Sequence, residues 1–213
     1  MIYNQKYYLR HLSYSDTPTE GYLNQFRAGL VDKALEDSGN RETASFLVDY
    51  GCSHGAFLEQ FEAYYDGQYD CVGVDINPYC VAHCNVVNGV KAVTPDMFEY
   101  FYKDKHIDIM TFWDVLEHLP NPKELLDTFK PTYICTSLPC LDGFLEAFPG
   151  EDLQLWKHTR KLEHLWDFTA DSFHKYMEIC GYTIIYKTFS ESKIRVDSLL
   201  KDKNIMSFVA KRL

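Results

Sequence analysis

An acid and three small residues stand at every second position of the stretch DYGCSHG: Asp49, Gly51, Ser53 and Gly55. The apolar run Phe46–Val48 leads into it. Small residues at a turn let backbone approach a ligand where any Cβ would collide. The loop Gly51-Cys52-Ser53-His54-Gly55 is therefore suited to hold a bound molecule. A second acid, Asp75, closes the run CVGV about twenty residues beyond Gly55 and is followed by Ile76. A carboxylate there can accept two hydrogen bonds from a ribose diol. Glycine loop, interval and terminal acid together point to a nucleoside-containing cofactor. Three histidines are candidate proton acceptors: His118, directly after Glu117, and His158 and His164, in a stretch of little periodicity.

The elements that must position these residues alternate between short apolar runs and amphipathic stretches, the rhythm of βαβ units on a parallel sheet. Strands are expected at Phe46–Asp49, Cys71–Asp75, Lys91–Thr94, Ile107–Phe112 and Tyr133–Ser137. Helices are expected at His54–Tyr65, Pro78–Asn88, Met97–Lys103 and Pro122–Phe129. Asn77-Pro78 and Asn121-Pro122 each place a capping Asn before a proline that needs no N–H partner. The rhythm breaks over Leu138–Phe168; a helix at Thr169–Cys180 then stops at Gly181, and strands Tyr182–Phe189 and Asn204–Lys211 flank the polar stretch SESKIRVDSLLKDK. Ahead of the first strand, Tyr22–Asp37 reads as helical and the first twenty residues as a loose arm or cover, in which Tyr3, Tyr7, Tyr8 and Tyr14 could form a lid.

The whole chain, with 213 residues, 46% hydrophobic and 24% charged, fits one globular domain. The divisions expected within it are an arm and helix (1–40), a cofactor-binding core (44–137), a substrate-side insertion (138–168) and a C-terminal helix with antiparallel strands (169–213). A net charge of −10 argues against broad contact with a phosphate backbone. No run of about 18 apolar residues is present, so no membrane span is expected. The N-terminus lacks a signal-peptide pattern, and the seven cysteines sit mostly in apolar runs; a cytoplasmic protein with reduced core thiols is expected. Cys80, His83 and Cys84 share a helix face, but no second pair of ligands lies nearby, so no metal site is expected.

The Asp49–Gly55 spacing resembles motif I of the class I S-adenosylmethionine-dependent methyltransferases, with Ser53 where the middle glycine usually stands. VGVDINPYC resembles their second motif and TPDMFEY their third. IDIMTFWDVLEHLPNP and WKHTRKLEHLWDFTADSFHKYMEICGY resemble segments of the small-molecule methyltransferases related to the ubiquinone-pathway O-methyltransferases. The likeness runs from about Asp49 to Gly181. It implies an α/β, Rossmann-like methyltransferase fold: a seven-stranded, mostly parallel sheet in the order 3-2-1-4-5-7-6 with helices on both faces. It also implies S-adenosyl-L-methionine as cofactor, held by Asp49, Gly51, Cys52, Ser53, Gly55, Asp75, Ile76, Asp96, Met97, Trp113 and Asp114. Asp75 would take the ribose, Asp96 the adenine amino group, Met97 the ring, and Trp113 would lie against the sulfonium. The reaction expected is in-line transfer of the methyl group to a small molecule, with His118, His164 or His158 as base, by a monomer or homodimer. Rival readings are a methyltransferase acting on a protein or nucleic acid docked at Lys6, Arg10 and Arg27, a non-catalytic partner subunit, and a nicotinamide-dependent oxidoreductase. The last is disfavoured by the glycine spacing.

Overall fold

A computed structural model describes residues 3–13, 17–39, 46–159, 163–195 and 203–213. Tyr14 lies outside the described residues, as does part of the polar stretch after Phe189. Two helices come first, α1 (Gln5–Leu12) and α2 (Pro18–Ser38). The chain then alternates: β1 (Phe46–Tyr50), α3 (Ala56–Tyr64), β2 (Asp70–Val74), α4 (Pro78–His83), β3 (Ala92–Val93), α5 (Pro95–Tyr102), β4 (Ile109–Trp113), α6 (Pro122–Phe129) and β5 (Tyr133–Pro139). The remainder is α7 (Asp142–Ala147), α8 (Ala170–Ile179), β6 (Tyr182–Thr188), α9 (Glu191–Ile194) and β7 (Ile205–Arg212).

The strands form one sheet in the order β3-β2-β1-β4-β5-β7-β6, as the resemblance implied. β1 to β5 run parallel, while β7 pairs antiparallel with both β5 and β6. Strands buried on both faces read as continuous apolar runs because each side meets a helical layer. Along β1, Phe46 and Val48 enter one cluster with Val72, Phe98, Phe112, Phe173 and Phe208. Leu47 enters the other, with Val31 of α2, Leu58 of α3, Ile109 and Val209.

Local chemistry sets the helix ends. Asn77 and Asn121 cap α4 and α6 through side chains that accept from Tyr79 N and Glu124 N, each ahead of a proline. Thr169 and Ser172 form a reciprocal box at the start of α8, and Gly181, at φ +83°, follows its end. Several expected boundaries move. The helix expected from His54 to Tyr65 begins at Ala56, because Gly55 (φ +88°) supplies the turn. The expected helix Pro78–Asn88 splits into α4 and a π turn, Cys84–Asn88. The expected loose arm contains α1, capped by Asn4, and the segments expected to be irregular contain α7 and α9. All seven cysteines are free and buried. No helix among the described residues is long and apolar enough to cross a membrane.

Candidate active site

The C-terminal ends of β1, β2 and β4 form one edge, where an open parallel sheet binds its ligands. At this edge the glycine loop is fastened to the second strand. Gly51 N and Cys52 N both donate to Val74 O, at 2.6 and 3.0 Å. Asp75 completes the tie, since its Oδ2 accepts from Ser53 N and its Oδ1 from Asn77 N, each at 2.8 Å. Burial raises the Asp75 carboxyl, and these two backbone donors oppose that effect. The acid thus fastens both loops at this edge.

Gly51 sits at φ +86°, and a Cβ there would lie 2.3 Å from Val115 Cγ2, so glycine is required for conformation and for room. Ser53 adopts φ +52°, the left-handed region in which a side chain is strained. Ser53→Gly keeps the N–H that meets Asp75 and removes the strain; it should raise stability by about 1 kcal/mol. Chemical denaturation of the two proteins checks this, and a loss of stability would contradict it. His54 is buried, with its Nε2 3.3 Å from Glu20 Oε1 of α2.

Asp49 is almost wholly buried and accepts a 2.6 Å hydrogen bond from Thr111 Oγ1. Burial pushes its carboxyl up to about 7 against the opposing effects of Thr111 and Arg27. Cys52 fills space beside the second strand, where a Cβ on Gly73 would lie 2.6 Å from its Sγ. Ile76 is an exposed apolar side chain on the loop after β2, and Asp96 and the exposed Met97 lie in the first turn of α5. These three flank the same end of the sheet.

Two of the expected cofactor contacts are otherwise engaged. Trp113 is buried, edge-on to Phe57, and the Arg27 guanidinium lies 5.1 Å from its ring centre. A cation therefore already sits on this indole, and it comes from the chain itself. Asp114, held at φ +58°, receives a bidentate pair from Arg195, with Nη1 at 3.0 Å and Nη2 at 2.5 Å, and a contact from Arg27 at 3.2 Å. Burial alone would raise its carboxyl, but the two guanidinium groups bring it down to about 2. Both arginines also meet the fully buried Glu191, which is hydrogen-bonded to Ser137 and Ser207. Arg27 is thus part of an internal ion network and is not available to dock a partner. Arg195 and Glu191 were not legible as site residues in a stretch that read only as polar.

The histidines converge. Turn 116–118 follows β4, and residues 163–166 lie along it: Leu165 N donates to Glu117 O at 2.8 Å, and Trp166 Nε1 to Leu119 O at 2.8 Å. The rings of His118 and His164 are 4.6 Å apart, and His158 stacks 6.5 Å beyond His164. His118 Nδ1 lies 2.8 Å from Glu163 O and must donate to it, since a carbonyl oxygen only accepts. His158 Nε2 meets Asn204 Oδ1 at 3.1 Å, and burial lowers its imidazole to about 4. Glu117, absent from the expected set, is buried, with no hydrogen-bond partner among the described residues for either carboxylate oxygen, and its Oε1 lies 3.9 Å from His118 Nε2. Ligand atoms of Glu117, His118 and His164 lie within 4.8 Å of one another. The residues of the Cys80, His83 and Cys84 face are engaged separately: His83 Nδ1 lies 2.8 Å from Tyr8 Oη of α1, and Cys84 Sγ donates to Ser53 O of the glycine loop at 3.4 Å.

α1 covers this edge. Asn77 Nδ2 donates to Asn4 O at 3.2 Å, and Tyr7 stacks on His11 at 4.3 Å. Burial raises the Tyr3 hydroxyl, and the neighbouring carboxylates of Glu163, Asp75 and Glu117 raise it further. Tyr3 is thus within electrostatic reach both of Asp75 and of Glu117 and Glu163.

Comparison with known proteins gives the family and the fold. A family model described as a methyltransferase domain matches residues 22–187. No curated protein matches the chain in sequence. Among solved structures, the plantazolicin methyltransferase BpumL, in complex with a triazolic desmethylPZN analogue and SAH, aligns with a TM-score of 0.68 at 14% identity, over 97% of this chain and 90% of that one. A SAM-dependent methyltransferase from Archaeoglobus fulgidus aligns at 0.56 and 21% identity, over 87% and 94%. The small RNA methyltransferase HEN1 aligns at 0.58 and 20% identity; the match covers 86% of this chain but only 24% of that longer one. At these identities the structures establish a shared fold.

Proposed function

The chain belongs to the methyltransferase-domain family, and from that membership we propose that it binds S-adenosyl-L-methionine and passes its methyl group to a small-molecule acceptor. The observation that carries the cofactor site is the Asp75 carboxylate, which accepts from Ser53 N and Asn77 N and so sets the glycine loop and the ribose acid in one frame. Gly51 and Ser53 leave room for the methionine moiety, Asp75 faces the ribose, and Ile76, Met97 and Asp96 meet the adenine. Trp113 and Asp114 act at one remove, shaping the floor through Arg27 and Arg195.

The sulfonium carries an activated methyl group, so the protein's task is to hold nucleophile, methyl carbon and sulfur in line. The acceptor lies beside Glu117, His118 and His164, under α1. His158 is the histidine least suited to take a proton, because an imidazole lowered to about 4 has little driving force for it at neutral pH. A small acceptor, rather than a nucleic acid, is supported by the net charge of −10 and by the internal engagement of Arg27.

Calorimetric titration with S-adenosylmethionine tests the reading. Wild-type protein should bind one equivalent and Asp75→Ala should bind at least about 30-fold more weakly, since it frees two backbone donors as well as losing the ribose contact. Equal binding by the two proteins would refute the assigned site. Selective binding of NAD would refute the cofactor.

A further inference from the structure

We propose that Glu117, His118 and His164 form a binding site for a divalent transition-metal cation, and that the methyl acceptor is a hydroxyl compound whose oxygen this cation receives. The cation site goes beyond the cofactor assignment and does not depend on it; the acceptor class rests on the methyl-transfer reading.

The donor set is the first argument. One carboxylate oxygen and two imidazole nitrogens lie within 4.8 Å of one another. Metal–ligand bonds of about 2.1 Å place adjacent ligands roughly 3–4 Å apart, so the cluster needs to contract by roughly an ångström. Exposed acidic clusters are common and uninformative, but Glu117 is not exposed. It is 2% exposed, and among the described residues both of its oxygens lack a hydrogen-bond partner. A buried carboxylate in that condition carries a penalty that only protonation or a cation removes.

The surrounding shell is the second argument. The Nδ1–H of His118 is committed to Glu163 O, which places Nε2, the other ring nitrogen, on the side of Glu117. A ligating histidine is typically fixed in this way, through its other nitrogen on a backbone carbonyl. The backbone bonds of Leu165 and Trp166 to Glu117 O hold residue 164 beside the turn that carries Glu117 and His118. Two ligands thus come from the turn after β4 and the third from a segment distant in sequence, so the site is built by the tertiary fold. Asp114, the other acid near this turn, is held by Arg195 and Arg27 and does not compete.

Two imidazoles and one carboxylate suit Mn²⁺, Fe²⁺, Co²⁺ or Zn²⁺ better than Ca²⁺ or Mg²⁺, which prefer oxygen. Three protein ligands leave positions open for a substrate oxygen. A hydroxyl bound there loses its proton more readily. In the transfer the O–H bond breaks, a C–O bond forms to the methyl carbon, and the C–S bond breaks with its electron pair left on sulfur. The released proton goes to water.

The test is direct binding to the full chain. Protein stripped by a chelator is titrated with Co²⁺, followed by visible absorption, and with Mn²⁺, followed by electron paramagnetic resonance. One equivalent should bind, and Glu117→Gln and His164→Gln should each weaken binding at least tenfold while keeping the wild-type circular dichroism spectrum. S-adenosylmethionine binding, measured separately on the same samples, should be within threefold of wild type in both variants. Absence of stoichiometric Co²⁺ and Mn²⁺ binding would overturn the proposal, as would binding that survives both substitutions. Failure to bind S-adenosylmethionine would count against the cofactor assignment and leave the cation site standing.

Discussion

Replacing Arg195 by methionine should lower the melting temperature by about 10 °C near neutral pH, the largest stability effect expected from a single side chain at this site. The arginine bridges Asp114 and the fully buried Glu191 at the C-terminal end of α9. Its removal leaves Glu191 with Arg27 as its remaining cation and Asp114 with one contact at 3.2 Å. Breaking a buried pair by deleting one partner costs about 3–5 kcal/mol, because the surviving charge is stranded. The dependence on pH has a definite sign. Both carboxyls are held below their ordinary values in the intact protein. Their contribution is therefore present above about pH 4, the value of a free carboxyl, and is lost as pH falls through the lowered folded values. In Arg195→Met the stranded carboxyls protonate more readily, so the deficit should shrink between neutral pH and about pH 4. Adding Asp114→Asn should recover part of the loss. Calorimetry across pH reads all three effects; a shift of under about 2 °C in the single variant would show that the network does not stabilise the fold.

Asp49→Asn should have the opposite effect, raising stability in a pH-dependent manner. Asn keeps an acceptor for Thr111 Oγ1 and removes a carboxyl that burial pushes up to about 7. A raised carboxyl means that the folded state holds a proton the unfolded chain has released, so wild-type stability falls as pH rises from about 4 to about 7. The variant lacks that fall. Its advantage should be near zero at pH 4 and reach the order of 3 kcal/mol above pH 7, with S-adenosylmethionine binding scored separately. Parallel stability–pH profiles for the two proteins would show that Asp49 does not titrate as its burial implies.

Much of the fold was legible because its signals are local. An apolar run closed by an acid, or an Asn-Pro pair ahead of an amphipathic stretch, marks a strand or a helix start within a few residues, and the five parallel strands fall within a few positions of those expected. What escaped depends on distant partners. β5 runs on to Pro139 because Leu138 and Pro139 pair with Met206 and Ile205, which the strand's own residues do not announce. Glu191 and Arg195 read as solvated polar residues until the fold sets them against Asp114 and Ser137. The same holds for the site. Asp75 and the glycine loop are neighbours in motif and in space, whereas Glu117 gains meaning only when His164 arrives from another segment. Trp113 and Asp114 lie where the sequence placed them, at the end of β4 and just after it, but their exposed faces had been claimed by arginines from α2 and from beyond α9.

The position of β7 bears on how the chain is made. It is the last strand in sequence, yet it lies between β5 and β6 and pairs with both along their length. On the ribosome, β5 is complete well before its neighbour exists, and every residue of Tyr133–Pro139 is buried in the finished sheet. A growing chain therefore carries this strand with an unpaired edge until residues 205–212 emerge, a template for pairing with other chains. The interval between synthesis of β5 and synthesis of β7 is the period in which this protein most needs a chaperone.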